Sequence, residues 1–434
     1  MAHDIAVTEI PARRLERAPG AVRAAGVILL VLGVIAFVAA LAADGDRAWR
    51  AYQVNWMFFT SVAQGAVLLS AVVAMAKGLW SRPIRRFALS FVAFLPISFL
   101  LFLPLFFAAD KVLPWVADPT ILLHGKEKYL NMPFLVTRNV LFFGALVVVD
   151  LLFAYWALRP DIGLVRDDAP AKLRGLYAWF TRDWQGQDAE EARAHRRVSV
   201  LAPVLALLHA FALSFVVFDF VMSLEPNWWS TLLGPYFFMA AFLGGVVATG
   251  LVTLIYRARL GLEDVIGTPS LHDLGKLTFA LCIFWAYTMF AQLLPIWYGL
   301  LPMEQSFLVH RLGRPFGPIA VAVLLCLWAL PFFGLLSAAA KKTPAVYGTF
   351  AAIVLLGLWL ERYLLVYPSH YWQGAEIPLG WQEVGIGLGF AGLLVLAHLW
   401  FVTRFPIFQL WQPLSELELS GLEEPPGTIS ATAE

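Results

Sequence analysis

Two carboxylates and two adjacent tryptophans interrupt an apolar part of this sequence. The stretch FDFVMSLEPNWWST, residues 218–231, lies between two long hydrophobic segments and contains Asp219, Glu225, Trp228 and Trp229. A carboxylate at membrane depth is costly, so it usually has a partner or marks a path for ions or protons. Trp228 and Trp229 are expected to anchor in the headgroup zone, where tryptophan is enriched. The stretch therefore indicates a site near a membrane surface.

The composition indicates an integral membrane protein. Of the 434 residues, 60% are hydrophobic and only 14% are charged, whereas soluble domains carry about 25% charged residues. The net charge of +1 gives no sign of a nucleic-acid partner. The two cysteines, Cys282 and Cys326, are too few for a disulfide framework or an iron–sulfur cluster. They are expected to be buried thiols.

Ten apolar runs of about 20 residues could each cross a hydrocarbon core roughly 30 Å thick. The sequence thus predicts an all-α polytopic membrane protein whose transmembrane domain covers residues 22–405. The first run follows several arginines but is too long for the apolar region of a signal peptide, so we interpret it as a membrane helix. The predicted spans are 22–43, 53–76, 86–108, 134–157, 198–223, 231–256, 276–298, 316–339, 344–366 and 382–405.

Lysine and arginine predict the orientation of the chain. Lysines and arginines are about three times as numerous in the connections on the N-terminus's side of the membrane as in the connections on the other side. Because cytoplasmic loops carry an excess of these residues, both termini are predicted to be cytoplasmic. The cytoplasmic side then holds residues 1–21, a charged loop at 158–197 with a short surface helix, and a tail at 406–434. The tail becomes acidic and then rich in Pro, Gly, Ser and Thr, so disorder is predicted from about residue 414.

Four predicted helices carry polar groups at one level, roughly 6–8 Å below the outer surface. These groups are Arg138, Asp219, Gln292 and the pair Glu361–Arg362, with Glu225 just above them in the outer loop. A quinol that enters from the bilayer would need hydrogen bonds and proton acceptors at this depth. The structural alternative is that Arg138 and Arg362 extend toward the interface, or that Asp219 pairs with one of them to lock two helices.

A second, sparser polar set lies deeper. Asp150 and His398 fall in the inner half of their spans, and His209 and Gln64 fall near the midplane. Histidine and aspartate at different depths suit a proton relay. Alternatively, His209 hydrogen-bonds a neighbouring carbonyl group and Asp150 bonds a backbone amide or a serine. A haem between His209 and His398 is not expected because their depths differ, and no Cys-x-x-Cys-His motif is present for covalent haem c.

Three pieces of the sequence carry a family resemblance. The first is D-x-x-M-S-L-E-P-x-W-x-S-T, met at residues 219–231, and the second is DLGKLTF followed by FWAY, a glutamine and IWY within residues 273–298. The third is ERYLLVYPS at residues 361–369. Together they resemble the F subunit of alternative complex III, a bacterial quinol:electron acceptor oxidoreductase. Residues 302–305 read PMEQ where the family pattern has P-E-E, so one outer carboxylate is missing.

The resemblance implies a fold similar to NrfD-like, polysulfide-reductase-type membrane subunits, with two four-helix bundles plus two peripheral helices. It implies a subunit that binds no cofactor of its own and belongs to an oxidoreductase complex of the bacterial inner membrane. That complex would transfer electrons from quinol to cytochrome c or to another electron acceptor. Haem c and iron–sulfur clusters would belong to partner subunits, beside a paralogous C subunit and the quinone pool. This chain would bind quinol or conduct protons toward the outer face. A secondary transporter with an intramembrane polar site and a structural scaffold subunit are the alternatives.

Overall fold

The structure, a computed structural model, describes residues 15–122, 124–300 and 302–411. These residues contain ten helices long and apolar enough to cross a membrane, and they contain no strand. The chain is therefore an all-α polytopic membrane protein, as the sequence predicts. The helices are α1 (Gly20–Ala43), α2 (Gly45–Met75), α3 (Arg85–Phe107), α4 (Met132–Val165), α5 (Gln187–Leu224), α6 (Leu233–Leu260), α7 (Thr268–Gly299), α8 (Gly317–Gly334), α9 (Pro344–Val366) and α10 (Trp381–Val402).

Each helix overlaps one predicted span, but α2 begins eight residues before residue 53. Its start is fixed by Asp44, whose carboxylate accepts a hydrogen bond from the Arg47 backbone amide at 3.0 Å. An aspartate at this position satisfies one of the amide groups that a helix start leaves unpaired. Hydropathy alone did not reveal the extra turns because they contain charged residues.

The inner connection between α4 and α5 is shorter than the predicted loop at 158–197. Both helices extend past the apolar core, so the connection covers only residues 166–186. The expected surface helix within it is Arg174–Phe180. Residues 1–14 and the tail predicted to be disordered from about 414 lie outside the described residues.

The ten helices form two four-helix bundles and a peripheral pair. In the first bundle α2 packs against α3 and α5, and α4 packs against the same two helices. In the second bundle α6 and α8 each pack against α7 and α9. The peripheral helices α1 and α10 lie along each other and against α2. This is the arrangement that the family resemblance implies.

Both ends of the described chain lie at one face. The Leu15 amide donates to the Val402 carbonyl oxygen at 3.2 Å. The amides of Leu410 and Trp411 donate to Asp161, near the end of α4, at 2.9 and 3.0 Å. We call this the inner face, following the predicted orientation, and the opposite one the outer face.

Helix α2 is the most enclosed of the ten, because it contacts helices of both bundles as well as the peripheral pair. Its contact with α6 is made backbone to backbone. A Cβ atom at Gly65 would lie 1.9 Å from the Ala241 carbonyl oxygen, and one at Gly245 would lie 2.0 Å from the Ala66 amide nitrogen. Small residues at membrane-helix interfaces allow this close approach.

Gly65→Ala should lower the melting temperature of the purified protein in detergent, because the added methyl group forces α2 and α6 apart. Overpacking of this kind costs about 1–3 kcal/mol. Gly175→Ala is the matched control, since nothing lies within 4 Å of its Cβ position. Alanine should stabilise that helix by up to about 1 kcal/mol. Equal melting temperatures for the two variants would contradict the close approach of α2 and α6.

Candidate functional site

Arg138 and Asp219 form a buried ion pair that joins α4 to α5. Arg138 Nε donates to Asp219 Oδ2 at 2.7 Å, and a second guanidinium nitrogen donates to Oδ1. The Asn139 side-chain amide also donates to Asp219 Oδ2. Arg138 further donates to the Tyr129 carbonyl oxygen at 2.8 Å and lies 3.8 Å from the centre of the Tyr129 ring. Because both carboxylate oxygens already accept hydrogen bonds, this pair fits the helix-lock alternative.

Gln292 and Glu361 line a cavity inside the second bundle, near the outer face. Its volume is about 90 Å³, and most of its wall is apolar. Helices α6 to α9 and the short outer helix Pro302–Leu312 contribute to it. Its polar lining residues are Tyr236, Trp285, Gln292, Arg311 and Glu361. An apolar cavity with a few convergent polar groups is typical of a small-molecule site.

The two candidate residues in this outer cavity are held by their neighbours. Trp285 Nε1 donates to Glu361 Oε1 at 3.3 Å, and Arg362 donates to Glu361 Oε2. Ser230 Oγ donates to Gln292 Oε1 at 3.0 Å. This contact occupies the amide oxygen of Gln292, so its NH₂ group is the part that can donate to a ligand.

Glu225 belongs to an outer cluster that borders the same cavity. His310 Nδ1 lies 2.9 Å from Glu225 Oε1, and Arg311 Nη1 lies 3.7 Å from that oxygen. Arg311 also lines the cavity. Burial lowers the pKa of Arg311 to about 10, and Glu225 opposes that change. Arg311 therefore connects the outer carboxylate to the cavity.

The predicted outer layer thus consists of two sites in different bundles. Arg138 and Asp219 form the lock in the first bundle, whereas Gln292 and Glu361 line the cavity in the second. The four helices place polar groups at similar depth, but depth alone does not bring them into contact. Bundle membership decides which of them meet.

The expectation that both seam tryptophans anchor in the headgroup zone is wrong for Trp228. Trp228 is only 2% exposed and stacks on Phe307, with ring centroids 3.6 Å apart. Phe307 belongs to the short helix Pro302–Leu312, which contributes this contact. Trp229 is 56% exposed, and Lys126 Nζ lies 4.9 Å from the centre of its ring.

Two of the four deeper candidates meet in the first bundle. Gln64 Nε2 donates to Asp150 Oδ2 at 2.9 Å and so joins α2 to α4. Both side chains are fully buried. Asp150 Oδ1 and Gln64 Oε1 have no hydrogen-bond partner among the described residues. A buried carboxyl oxygen without a partner can bind a proton, and its desolvation is otherwise costly.

The two histidines of the predicted relay have other neighbours. His209 Nε2 lies 3.3 Å from the Phe238 carbonyl oxygen. This contact matches the alternative in which His209 hydrogen-bonds a neighbouring carbonyl group and takes no part in a relay. His398 lies between α3 and α6, with Nδ1 2.8 Å from Ser90 Oγ and Nε2 3.0 Å from Tyr256 Oη. Within the described part of the chain, the four relay candidates therefore do not form one hydrogen-bonded series.

Sequence reasoning missed a third buried charged cluster, which joins α2, α9 and α10 at the outer face. Arg47 donates to the two carboxylate oxygens of Glu383 at 2.8 and 2.9 Å, and Tyr367 Oη donates to the same group at 2.6 Å. The Gly380 amide adds a hydrogen bond at 2.7 Å. Glu383 lies in the first turn of α10, where an acidic residue is ordinary, so its position did not mark it as buried.

The described residues contain no group of three or more His, Cys, Asp or Glu side chains that could hold a metal ion. Of the two cysteines, Cys282 is buried as expected, whereas Cys326 is half-buried. No protein-family model matches the chain, and a search of curated protein sequences returned no match.

Asp219→Asn should destabilise the protein, because it leaves the buried Arg138 cation without a counter-charge. Removing one partner of a buried ion pair costs about 3–5 kcal/mol. The melting temperature in detergent and the yield of folded protein should both fall.

The double variant Arg138→Met with Asp219→Leu is the matched control for this experiment. It removes both charges and should recover much of the lost stability, since apolar replacement of a buried pair is often neutral. An unchanged melting temperature for Asp219→Asn, together with reduced activity, would contradict the helix-lock role.

His370, in the short outer helix Pro368–Tyr371, should make the protein sensitive to acid. Burial lowers the pKa of the His370 imidazole to about 3, and the cations Arg50 and Arg311 act in the same direction. The unfolded chain therefore binds a proton below about pH 6.5 that the folded chain rejects. From there toward pH 3, this residue should remove about 1.4 kcal/mol of stability per pH unit.

Melting temperatures at about pH 7.5 and pH 5 test this expectation. His370→Gln should reduce the loss of stability between the two, because glutamine takes up no proton. His124→Gln replaces an exposed histidine and serves as the control. A pH dependence in His370→Gln as steep as that of the natural protein would exclude His370 as its source.

Proposed function

We propose that this chain is a membrane subunit of a quinol-oxidising respiratory complex, alternative complex III, in the bacterial inner membrane. The observation that carries the proposal is the outer cavity, where Glu361 and Gln292 line a mostly apolar wall. A quinol head group is flat and uncharged and carries two hydroxyl groups. It therefore needs apolar surroundings with a proton acceptor and a hydrogen-bond donor, which this cavity provides.

The chemistry assigns a role to each polar lining residue. Oxidation of a quinol to a quinone breaks two O–H bonds and releases two protons and two electrons. In this proposal the Glu361 carboxylate accepts a proton, and the Gln292 NH₂ group donates a hydrogen bond that orients the ring. Trp285 and Arg362 hold the carboxylate in place through their hydrogen bonds to it.

Electrons and protons leave by different routes. Partner subunits that carry haem c and iron–sulfur clusters would take up the electrons, with the paralogous C subunit alongside, and this chain would need no cofactor of its own. The protons leave toward the outer face, where Glu225 lies beside His310 and Arg311 at the border of the cavity. Once Glu361 has released the first proton, it can accept the second.

The first bundle supplies a deeper proton-binding position and a structural lock. Asp150 has a carboxyl oxygen free of partners among the described residues and is held by Gln64, so it can serve as a relay group between the inner face and the outer cluster. Arg138 and Asp219 keep α4 and α5 in register. The scaffold alternative thus applies to this pair, and it coexists with the quinol cavity.

The complex itself can be tested by purification of the tagged chain from its native membrane in mild detergent. A reduced-minus-oxidised optical spectrum should show haem c on co-eluting subunits. A colourless, solitary protein would contradict the proposal and favour the transporter alternative.

Glu361→Gln should lower quinol oxidation by the assembled complex about 100-fold or more, since a positioned proton acceptor contributes about 10²–10⁴. Gln292→Leu, which removes no charge, should raise the KM for quinol. Glu376→Gln replaces an exposed outer-face carboxylate and should leave turnover unchanged.

Assembly, judged by the co-eluting subunits, must be measured beside turnover. A purely structural role of Glu361 would lower both together. Full turnover in an assembled Glu361→Gln complex would exclude this carboxylate as the proton acceptor.

A further inference from the structure

A second cavity lies in the inner half of the protein, where the ends of α6 and α10 meet the start of α1 and the first half of α3. We call it the inner cavity. Its volume is about 210 Å³, against about 90 Å³ for the outer cavity. Most of its wall is apolar, and its polar lining residues are Tyr256, Arg259 and His398. The quinol chemistry proposed for the outer cavity does not use it.

The inner cavity opens sideways toward lipid. Pro19, Ile255 and Arg259 line it and are exposed. Val252, one helical turn before Tyr256, also lines it, so the apolar wall extends along α6 toward the bilayer centre. A molecule dissolved in the inner leaflet can therefore enter the cavity directly from the bilayer.

His398 and Tyr256 belong to one hydrogen-bonded series in which the donors can be assigned. Ser90 Oγ lies 2.6 Å from the Phe87 carbonyl oxygen and 2.8 Å from His398 Nδ1. A carbonyl oxygen only accepts hydrogen bonds, and a serine hydroxyl has a single hydrogen to donate. Ser90 therefore donates to the Phe87 carbonyl oxygen, and His398 Nδ1–H donates to Ser90 Oγ.

The same assignment fixes the direction of the Tyr256 hydrogen bond. His398 has no carboxylate partner within the described part of the chain, and an unpaired imidazolium at membrane depth would be costly, so the ring is neutral. With its hydrogen on Nδ1, the ring has Nε2 as an acceptor. Tyr256 Oη lies 3.0 Å from Nε2 and donates its hydrogen there. No described residue donates a hydrogen bond to Tyr256 Oη, so its lone pairs are available to a ligand.

This arrangement limits the ligand to an apolar molecule that carries a hydrogen-bond donor. A carbonyl or ether oxygen cannot bond to Tyr256 Oη, because the only hydrogen of that hydroxyl is committed to His398. Arg259 follows Tyr256 by three residues, so the two side chains lie on one face of α6. Its guanidinium group only donates, and it lies nearer the inner end of the helix. The cavity thus offers an acceptor inside and a donor at its mouth.

We propose that the inner cavity binds a second quinol, taken from the inner leaflet. One quinol hydroxyl donates to Tyr256 Oη, and the oxygen at the opposite end of the ring accepts from Arg259. The apolar tail extends past Val252 toward the bilayer centre. The choice of a quinol rests on the function proposed above, whereas the need for a ligand donor rests on the hydrogen bonds of the cavity.

A quinol fits the inner cavity better than three other occupants. A quinone has the same ring, but both of its oxygens only accept hydrogen bonds. The acyl chain of a phospholipid would fill the apolar wall and leave Tyr256 Oη without a donor. Residues 1–14 precede Leu15, which lines the cavity, but they include several charged side chains that do not suit its apolar wall.

The test uses the purified full chain in detergent, kept reduced and free of oxygen, with a short-tailed quinol that carries a photoreactive group on its tail. Peptides from the inner ends of α6 and α10 should be labelled, separately from the peptides of α7 and α9 that line the outer cavity. Excess unlabelled quinol should compete for this label. The dimethyl ether of the quinol, in which methyl groups replace both hydroxyl hydrogens, should compete about fivefold more weakly, because it cannot donate to Tyr256.

Two substitutions test the cavity itself. Tyr256→Phe removes the acceptor oxygen and should abolish the preference for the quinol over its ether. Leu394→Trp fills the cavity, leaves its polar groups in place and should remove the label. Tyr298→Phe is the matched control, since Tyr298 is 76% exposed and lines neither cavity. Glu361→Gln should leave the inner label unchanged, because Glu361 lines only the outer cavity.

Four results would overturn the proposal. Equal competition by the quinol and its ether would show that only shape is recognised, and equal preferences in the two tyrosine variants would place the acceptor elsewhere. A phospholipid that competes as well as the quinol would identify a groove for acyl chains. If the label reaches the inner cavity only after residues 1–14 are deleted, the chain's own N-terminal segment is the occupant.

The inner site and the proposed function fail in different ways. Labelling confined to the outer cavity, in a complex that oxidises quinol, would contradict the inner site alone. Labelling of the inner cavity in a chain whose native complex does not oxidise quinol would contradict the proposed function and support the inner site.

Discussion

Helix α2 must contact both bundles and the peripheral pair at once, and the rest of the fold depends on this constraint. A helix surrounded by protein can carry polar residues that lipid would not tolerate, and α2 buries Gln53, Asn55 and Gln64. It can approach α6 closely because Gly65 and Gly245 carry no side chain at the two points of contact. The polar network of the first bundle and the contact between bundles therefore follow from the same placement of one helix.

The low dielectric of the bilayer explains which charged groups stand out as functional candidates. Buried arginines on α4 and α9 have carboxylate partners, as in Arg138–Asp219 and Arg362–Glu361. The Asp219 carboxylate has both oxygens bonded and lines neither of the cavities, so this pair is assigned a structural role. Function is more readily assigned to groups with an oxygen that accepts no hydrogen bond among the described residues, such as Asp150 in the first bundle. It is also more readily assigned to groups that line a cavity, such as Glu361 in the second bundle.

The sequence was sufficient to predict the ten helices, because the hydrophobic length of each is set by the thickness of the bilayer. It also placed Arg138, Asp219, Gln292 and Glu361 near the outer face. Contacts between helices were harder to predict, because the depth of a residue follows from its position along a helix, whereas its neighbours depend on how the helices pack. For this reason the Gln64–Asp150 bond, the burial of Trp228 and the Arg47–Glu383 pair were not predicted.

The pairing of α1 with α10 has a consequence for biosynthesis. These helices lie side by side, yet eight others separate them in the chain. During translation α1 enters the bilayer long before α10 is made, so the face that α10 later covers has to remain stable in lipid, which its almost wholly apolar surface allows. Helix α10 leaves the translocon long after α1 and then completes its packing. A nascent chain that stalls before α10 therefore leaves α1 without its main contact.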